Sequence, residues 1–172
     1  MSFEQCYQFT MGAEGGYANL KGDAGGRTIY GIAENFFPQQ FNEVYNLYIQ
    51  NKIDQAKALA EKFYEQQFFN PIAMIPYPPV GIVFDSFVNM GYTAIRILQQ
   101  TINNLYSTNL TVDGALGPLT EMAIKRLAEP DYNKFCRIYT DLRKQYYWQN
   151  SPYPNALAAR ADRCLKHFCP NA

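Results

Sequence analysis

The stretch from Glu14 to Ile32, E-G-G-Y-A-N-L-K-G-D-A-G-G-R-T-I-Y-G-I, limits the folding choices of this chain more than any other. More than half of the 11 glycines fall inside it. Glycine loses more conformational freedom on ordering than any other residue and is poor in helix and strand interiors, so no long regular element runs through here. The segment before it is helical. Phe3, Cys6, Tyr7 and Thr10 recur at helical spacing between Ser2 and Met11, and Ser2 with Gln5 fits a capping box. Gly15-Gly16 is the expected stop, which puts Glu14 on the last turn. A carboxyl there faces the negative end of the helix dipole, which favours its protonated form, as a general acid requires. After the glycine pair the period changes. Tyr17 to Leu20 and Arg27 to Ile32 read as short strands joined by a turn through residues 21–26. A helix end leading into a hairpin can aim two carboxylates, Glu14 and Asp23, into one cleft. The same residues also read as a solvated Glu and a turn-forming Asp.

The stretch resembles the N-terminal motif of glycoside hydrolase family 108, the N-acetylmuramidases of phages and bacteria. That motif stands here as Glu14-Gly15-Gly16-Tyr17, Asn19, Asp23-Ala24-Gly25-Gly26-Arg27-Thr28 and Gly31-Ile32. The Glu, the Asp and the nearby Thr also resemble the broader phage lysozyme pattern. The resemblance implies catalytic roles for Glu14, Asp23 and Thr28. Tyr17 and Tyr30 beside them either offer aromatic faces to the sugar or pack under the hairpin.

The rest of the chain is organised around helices. Residues 42–50 read as one short helix after a break at Phe36-Phe37-Pro38, and Asp54 as the N-cap of a stronger one reaching Phe69. Pro71, Pro76, Pro78 and Pro79 make a stiff connector. Val80 to Met90 is apolar on more than one face, the pattern of a buried central helix. Asp85 and Asn89 share one of its faces at i, i+4. They either satisfy neighbouring backbone or line a cleft floor, and F-D-S-F-V-N-M-G is similar to the family's F-D-x-x-V-N-x-G, which implies substrate contacts. A helix from Tyr92 to Leu105 comes next. Its L-Q-Q-T-I-N, with Asp113-Gly114-Ala115-Leu116-Gly117-Pro118-Leu119-Thr120 beyond, resembles peptidoglycan-binding helical modules. Stripped of the resemblance, it is a turn feeding a helix with Pro118 in the first turn. Further helices are expected over residues 119–128, 132–150 and 156–168, the second capped by Asp131 with Tyr132, Phe135, Cys136, Tyr139, Leu142 and Tyr146 inward, the third capped by Asn155. Near the C-terminus the family's Gly-Trp is replaced by Asn155-Ala156, and the sole Trp is Trp148.

Composition narrows the function. Fifteen basic and 15 acidic residues cancel, with no basic run, which argues against nucleic acid and against long-range attraction to an anionic wall. Aromatics reach 16%, enough for a tyrosine-rich core and for sugar-stacking faces. No stretch has the length and apolarity of a membrane span, and residues 1–11 carry Glu4 and no Lys or Arg, unlike a signal peptide. The expectation is a protein made in the cytoplasm without membrane insertion, reaching the wall by export or with a holin-type partner. Cys6, Cys136, Cys164 and Cys169 are expected as thiols on that basis. Cys164, His167 and Cys169 lack the second ligand pair of a zinc site, so no metal is expected.

The whole reads as a monomeric, mostly helical α+β chain, lysozyme-like, with a small antiparallel hairpin or sheet near the N-terminus and a helical lobe. Residues 1–78 form a catalytic part and 79–172 a helical, peptidoglycan-binding part of one domain. The resemblance implies hydrolysis of the β-1,4 bond between N-acetylmuramic acid and N-acetylglucosamine in peptidoglycan glycan strands, without a cofactor. A lytic transglycosylase or a non-catalytic wall-binding protein are the alternatives.

Overall fold

A computed structural model describes residues 3–12, 16–19 and 25–172. Glu14 and Asp23 lie outside the described residues, as do Ser2 of the expected capping box, Gly15 of the expected helix stop and residues 20–24 of the expected turn. The chain divides into two compact units, one reaching Asn70 and one running from Pro71 to Ala172.

The first unit opens with α1 (Phe3–Met11), which buries Cys6 and Thr10. It closes at Gly12, whose φ of 60° is the left-handed value and whose N–H bonds Gln8 O at 3.0 Å. The helix therefore stops before Glu14 in sequence, not at Gly15-Gly16, because Gly12 already supplies the C-terminal closure. Strands β1 (Tyr17–Asn19), β2 (Arg27–Ile29) and β3 (Ile32–Ala33) form a three-stranded antiparallel sheet in that order. The expected single strand over 27–32 is thus two. Tyr30 and Gly31 have φ of 47° and 76°, and their positive values turn the chain back within two residues, so that Ile29 faces Ile32. Gly31 is obligatory: a Cβ there would lie 2.6 Å from Met11 Cε and 2.7 Å from the Tyr64 hydroxyl.

Helices α2 (Pro38–Ile49) and α3 (Ile53–Tyr64) pack on each other and α2 also packs on β2 and β3. Lys52 occupies the α3 cap position and Asp54 lies in the first turn, where its charge suits the helix dipole without capping. The helix expected to reach Phe69 changes to π geometry over Glu65–Phe69, and the wider turn sets Phe68 against both Phe63 and Tyr64, at ring distances of 5.8 and 5.7 Å.

The second unit is helical. α4 (Pro79–Met90) packs on α5 (Tyr92–Tyr106), α7 (Tyr132–Asn150) and α8 (Pro154–Phe168), while α6 (Pro118–Ile124) leans on α5. α4 is central: every residue from Pro79 to Phe87 is buried. Four helices start at a proline, Pro38, Pro79, Pro118 and Pro154. Pro38, Pro79 and Pro154 lie where the sequence predicts a break, a connector and a loop. Proline has no N–H, but the first helical turn has no use for one, so these helices begin ahead of their expected starts. Asp131 precedes α7 without capping it; its carboxylate accepts from the Tyr106 hydroxyl at 2.8 Å. α7 buries Phe135, Cys136, Tyr139, Thr140, Arg143 and Tyr147, whereas Leu142 and Tyr146 are only half-buried. Asn155 sits inside α8 and Tyr153 at its cap. The short 151–153 connection returns α8 antiparallel to α7, bringing Cys136 and Cys169 into a disulfide with Cα atoms 6.7 Å apart. These two cysteines are thus not the expected thiols; Cys6 and Cys164 are free and buried. No helix among the described residues is long and apolar enough to cross a membrane.

Candidate active site and its supports

The described residues nearest Glu14 and Asp23 on their C-terminal sides are held beside the sheet. Gly16 O, two residues past Glu14, accepts from Tyr30 N at 3.2 Å, and Gly25 O, two past Asp23, accepts from Asn35 N at 3.1 Å. Gly16 and Gly25 are thus each fixed at the margin of the same small sheet.

The register sorts the sheet's side chains by face. Tyr17 pairs with Ile29 and Asn19 with Arg27, so these four share one face. That face packs on α2. The Tyr17 ring lies 5.3 Å from Tyr45, and the Arg27 guanidinium sits 5.1 Å from the Phe41 ring and 5.2 Å from Tyr45. Arg27 also grips Glu34, Nε at 2.7 Å and Nη2 at 2.5 Å, which holds the Glu34 carboxyl below the usual range. Thr28 stands on the opposite face, across from Ala18 and Ala33. Thr28 is half-buried there. Tyr17 and Thr28 thus point to different sides of the sheet. Tyr30 is 5% exposed, its ring edge-on to Tyr48 at 6.2 Å, and its carbonyl accepts from the Tyr64 hydroxyl at 3.2 Å. It is a support of the hairpin turn.

Asp85 and Asn89 belong to the second unit. Asp85 is fully buried and shared by two guanidinium groups: Arg143 Nη2 donates to Oδ2 at 2.7 Å, and Arg160 Nη2 donates to Oδ1 at 2.7 Å. Burial is the largest single influence and works against the Arg143 charge, but the Asp85 carboxylate together with Tyr147 and Cys164 more than offsets it and holds the guanidinium more basic than usual. Asn89 is exposed and its amide donates to Asp85 O at 2.5 Å. Both arginines were missed by sequence reasoning; the one available signal was an Arg interrupting the buried stripe of α7.

The L-Q and D-G-x-x-G-x-x-T residues meet at one point. The Gln99 amide donates to Asp113 Oδ1 at 2.8 Å, Ala115 O at 3.0 Å and Thr120 Oγ1 at 3.2 Å, and Gly114 N donates back to Gln99 Oε1 at 2.9 Å. The motif is a joint that fixes the 108–117 loop to α5 and α6. No cluster of three or more His, Cys, Asp and Glu among the described residues is placed to hold a metal.

A mostly helical α+β fold with a small N-terminal antiparallel sheet places the chain in the lysozyme-like class. The solved structure of SagA from Brucella abortus has the same fold, with a TM-score of 0.68 and 19% identity over 99% of this chain and 97% of that one. The Glycosyl hydrolase 108 model matches residues 7–91, and the Predicted Peptidoglycan domain model matches residues 93–153. The chain belongs to the glycosyl hydrolase 108 family and is a peptidoglycan hydrolase. No curated protein matches it.

Proposed function

We propose that the chain is an N-acetylmuramidase, cleaving the β-1,4 bond from N-acetylmuramic acid to N-acetylglucosamine. The observation that carries this reading is the spacing of Glu14, Asp23 and Thr28 inside the family match. Glu14 is the general acid that protonates the leaving oxygen. Asp23 holds or deprotonates the attacking water, or steadies the oxocarbenium-like transition state. Thr28, between two alanines on the face opposite Tyr17, positions that water. Tyr17 offers its exposed edge to the sugar, and Tyr30 keeps the turn in shape from below. On α4, exposed Asn89 is the group offered to substrate, and buried Asp85 behind it sets the helix.

Two carboxylates nine positions apart across a turn favour a wide gap with room for water, so an inverting separation of about 6.5–9.5 Å is expected. The test is Glu14→Gln on purified peptidoglycan, with products read by mass spectrometry. The wild type should release reducing muramic ends, and the folded variant should fall by at least about 10²-fold. Anhydro ends would mean a lytic transglycosylase, and reducing ends at an undiminished rate in Glu14→Gln would remove Glu14 as the acid.

A further inference from the structure

An open groove of about 390 Å³ runs between α5 and α7 in the second unit, a size within the range of small-molecule sites. Its apolar floor comes from Ile97 and Leu142, with the Tyr146 ring alongside and Val112 as one wall. Above the floor stand Arg96 and Gln100, one turn apart on α5, and Gln145 and Gln149, one turn apart on α7. Gln100 bonds Asn104 at 2.9 Å, and Arg96 Nε makes a long 3.4 Å bond to Asp113 O. The Gln145 and Gln149 amides have no partner among the described residues. Arg96 is the sole charged residue of the lining, and no carboxylate is present.

This chemistry selects its ligand. One cation is too few for a polyphosphate backbone, which needs several. The absence of carboxylates removes any cation. Primary amides, a guanidinium and a tyrosine face over an apolar floor suit a neutral ligand rich in hydroxyl and amide groups, with flat apolar patches. All the lining residues fall inside the stretch matched by the Predicted Peptidoglycan domain. The Gln99–Asp113 joint adds a reason for its own position: it pins the segment that carries Val112, the groove's wall.

We propose that the α5–α7 groove is a glycan-binding site for an N-acetylated saccharide of the wall strand, with Gln145 and Gln149 as its specificity-determining hydrogen-bonding residues. The proposal rests on peptidoglycan being the substrate, but it needs no particular bond to be cleaved.

The experiment uses the full chain carrying Glu14→Gln as a binding probe, sedimented with purified sacculi and, separately, with glycan strands freed of stem peptides. Adding Gln145→Ala and Gln149→Ala should weaken binding to both by about tenfold, the loss expected for two uncharged hydrogen bonds. Because the folded state of the variant matters, a second measurement tracks the side-chain amide NMR signals of the unmutated groove. N-acetylglucosamine oligomers should shift Gln145 and Gln149. Undiminished binding, or unshifted amides, overturns the proposal. Weakened binding to sacculi but not to bare strands also overturns it, and identifies the stem peptide as the occupant. If the wild type hydrolyses nothing while the groove variants still lose binding, the muramidase reading fails and the groove stands.

Discussion

Arg143 is the largest fully buried side chain in the second unit, and it is charged. It is tolerated because Asp85 accepts from it at 2.7 Å inside the core, while its Nε donates to the Tyr147 hydroxyl at 2.9 Å. Arg160, on the edge, closes the triad. A buried pair of this kind contributes little net stability compared with apolar residues, but removing one partner strands the other charge. Asp85→Ala should therefore destabilise by about 3–5 kcal/mol in denaturant unfolding, whereas Asp85→Leu with Arg143→Met should recover most of that loss. Failure of the pair to recover would mean that the geometry set by the ion pair, and not the stranded charge, is what matters.

At the scale of elements, the joint between α5, the 108–117 loop and α6 depends on Asp113. The Ala115 N–H and then the Gln99 amide hold its carboxyl below the ordinary aspartate value. With the folded value depressed, its contribution is present above the unfolded-state aspartate pKa of about 3.9 and is lost as the pH falls through the folded value. Asp113→Asn should therefore be less stable than wild type at neutral pH, and the gap in melting temperature should shrink at about pH 3 and below. A gap independent of pH would mean that the carboxylate charge contributes nothing there. The joint also shows how a motif can be read correctly as a pattern and still leave its purpose open. Asp-Gly and the Pro-led helix are local signals, but Gln99, 14 residues earlier, becomes the hub only once α5 is packed against the loop.

Across the whole molecule, the Cys136–Cys169 disulfide ties the end of α8 to the first turns of α7 over 33 residues of chain. Closing a loop of that length stabilises a fold by about 2–4 kcal/mol, so reduction, or Cys136→Ser, should lower the unfolding free energy by that amount. Melting with and without reductant measures it. The remaining thiols are shielded: burial pushes Cys6 up to about 11 and raises Cys164 as well. A thiol reagent at neutral pH should label neither in the native oxidised protein and both after unfolding. Rapid native labelling would show that one of the two helices opens readily.

What the sequence determined by itself is the set of features with local causes. Positive φ favours glycine, helix starts accept proline, and apolar periodicity marks the buried face, so the glycine-rich hairpin region, most of the helices and the central place of α4 were legible residue by residue. Glu14, Asp23 and Thr28 were chosen as candidates on the same kind of local signal, a spaced pattern within one short segment. Tertiary structure decided what depends on partners distant in the chain. Asp85 meets Arg143 and Arg160 across 58 and 75 residues, Cys136 finds Cys169, and the glutamines of α7 face α5 across a groove. It also reversed the reading of Tyr30, whose ring is claimed by Tyr48, because the turn that exposes Gly31 buries the residue before it. Local rules set which backbone a residue can adopt; which side chain it then meets is set by packing, and no spacing along the chain encodes that.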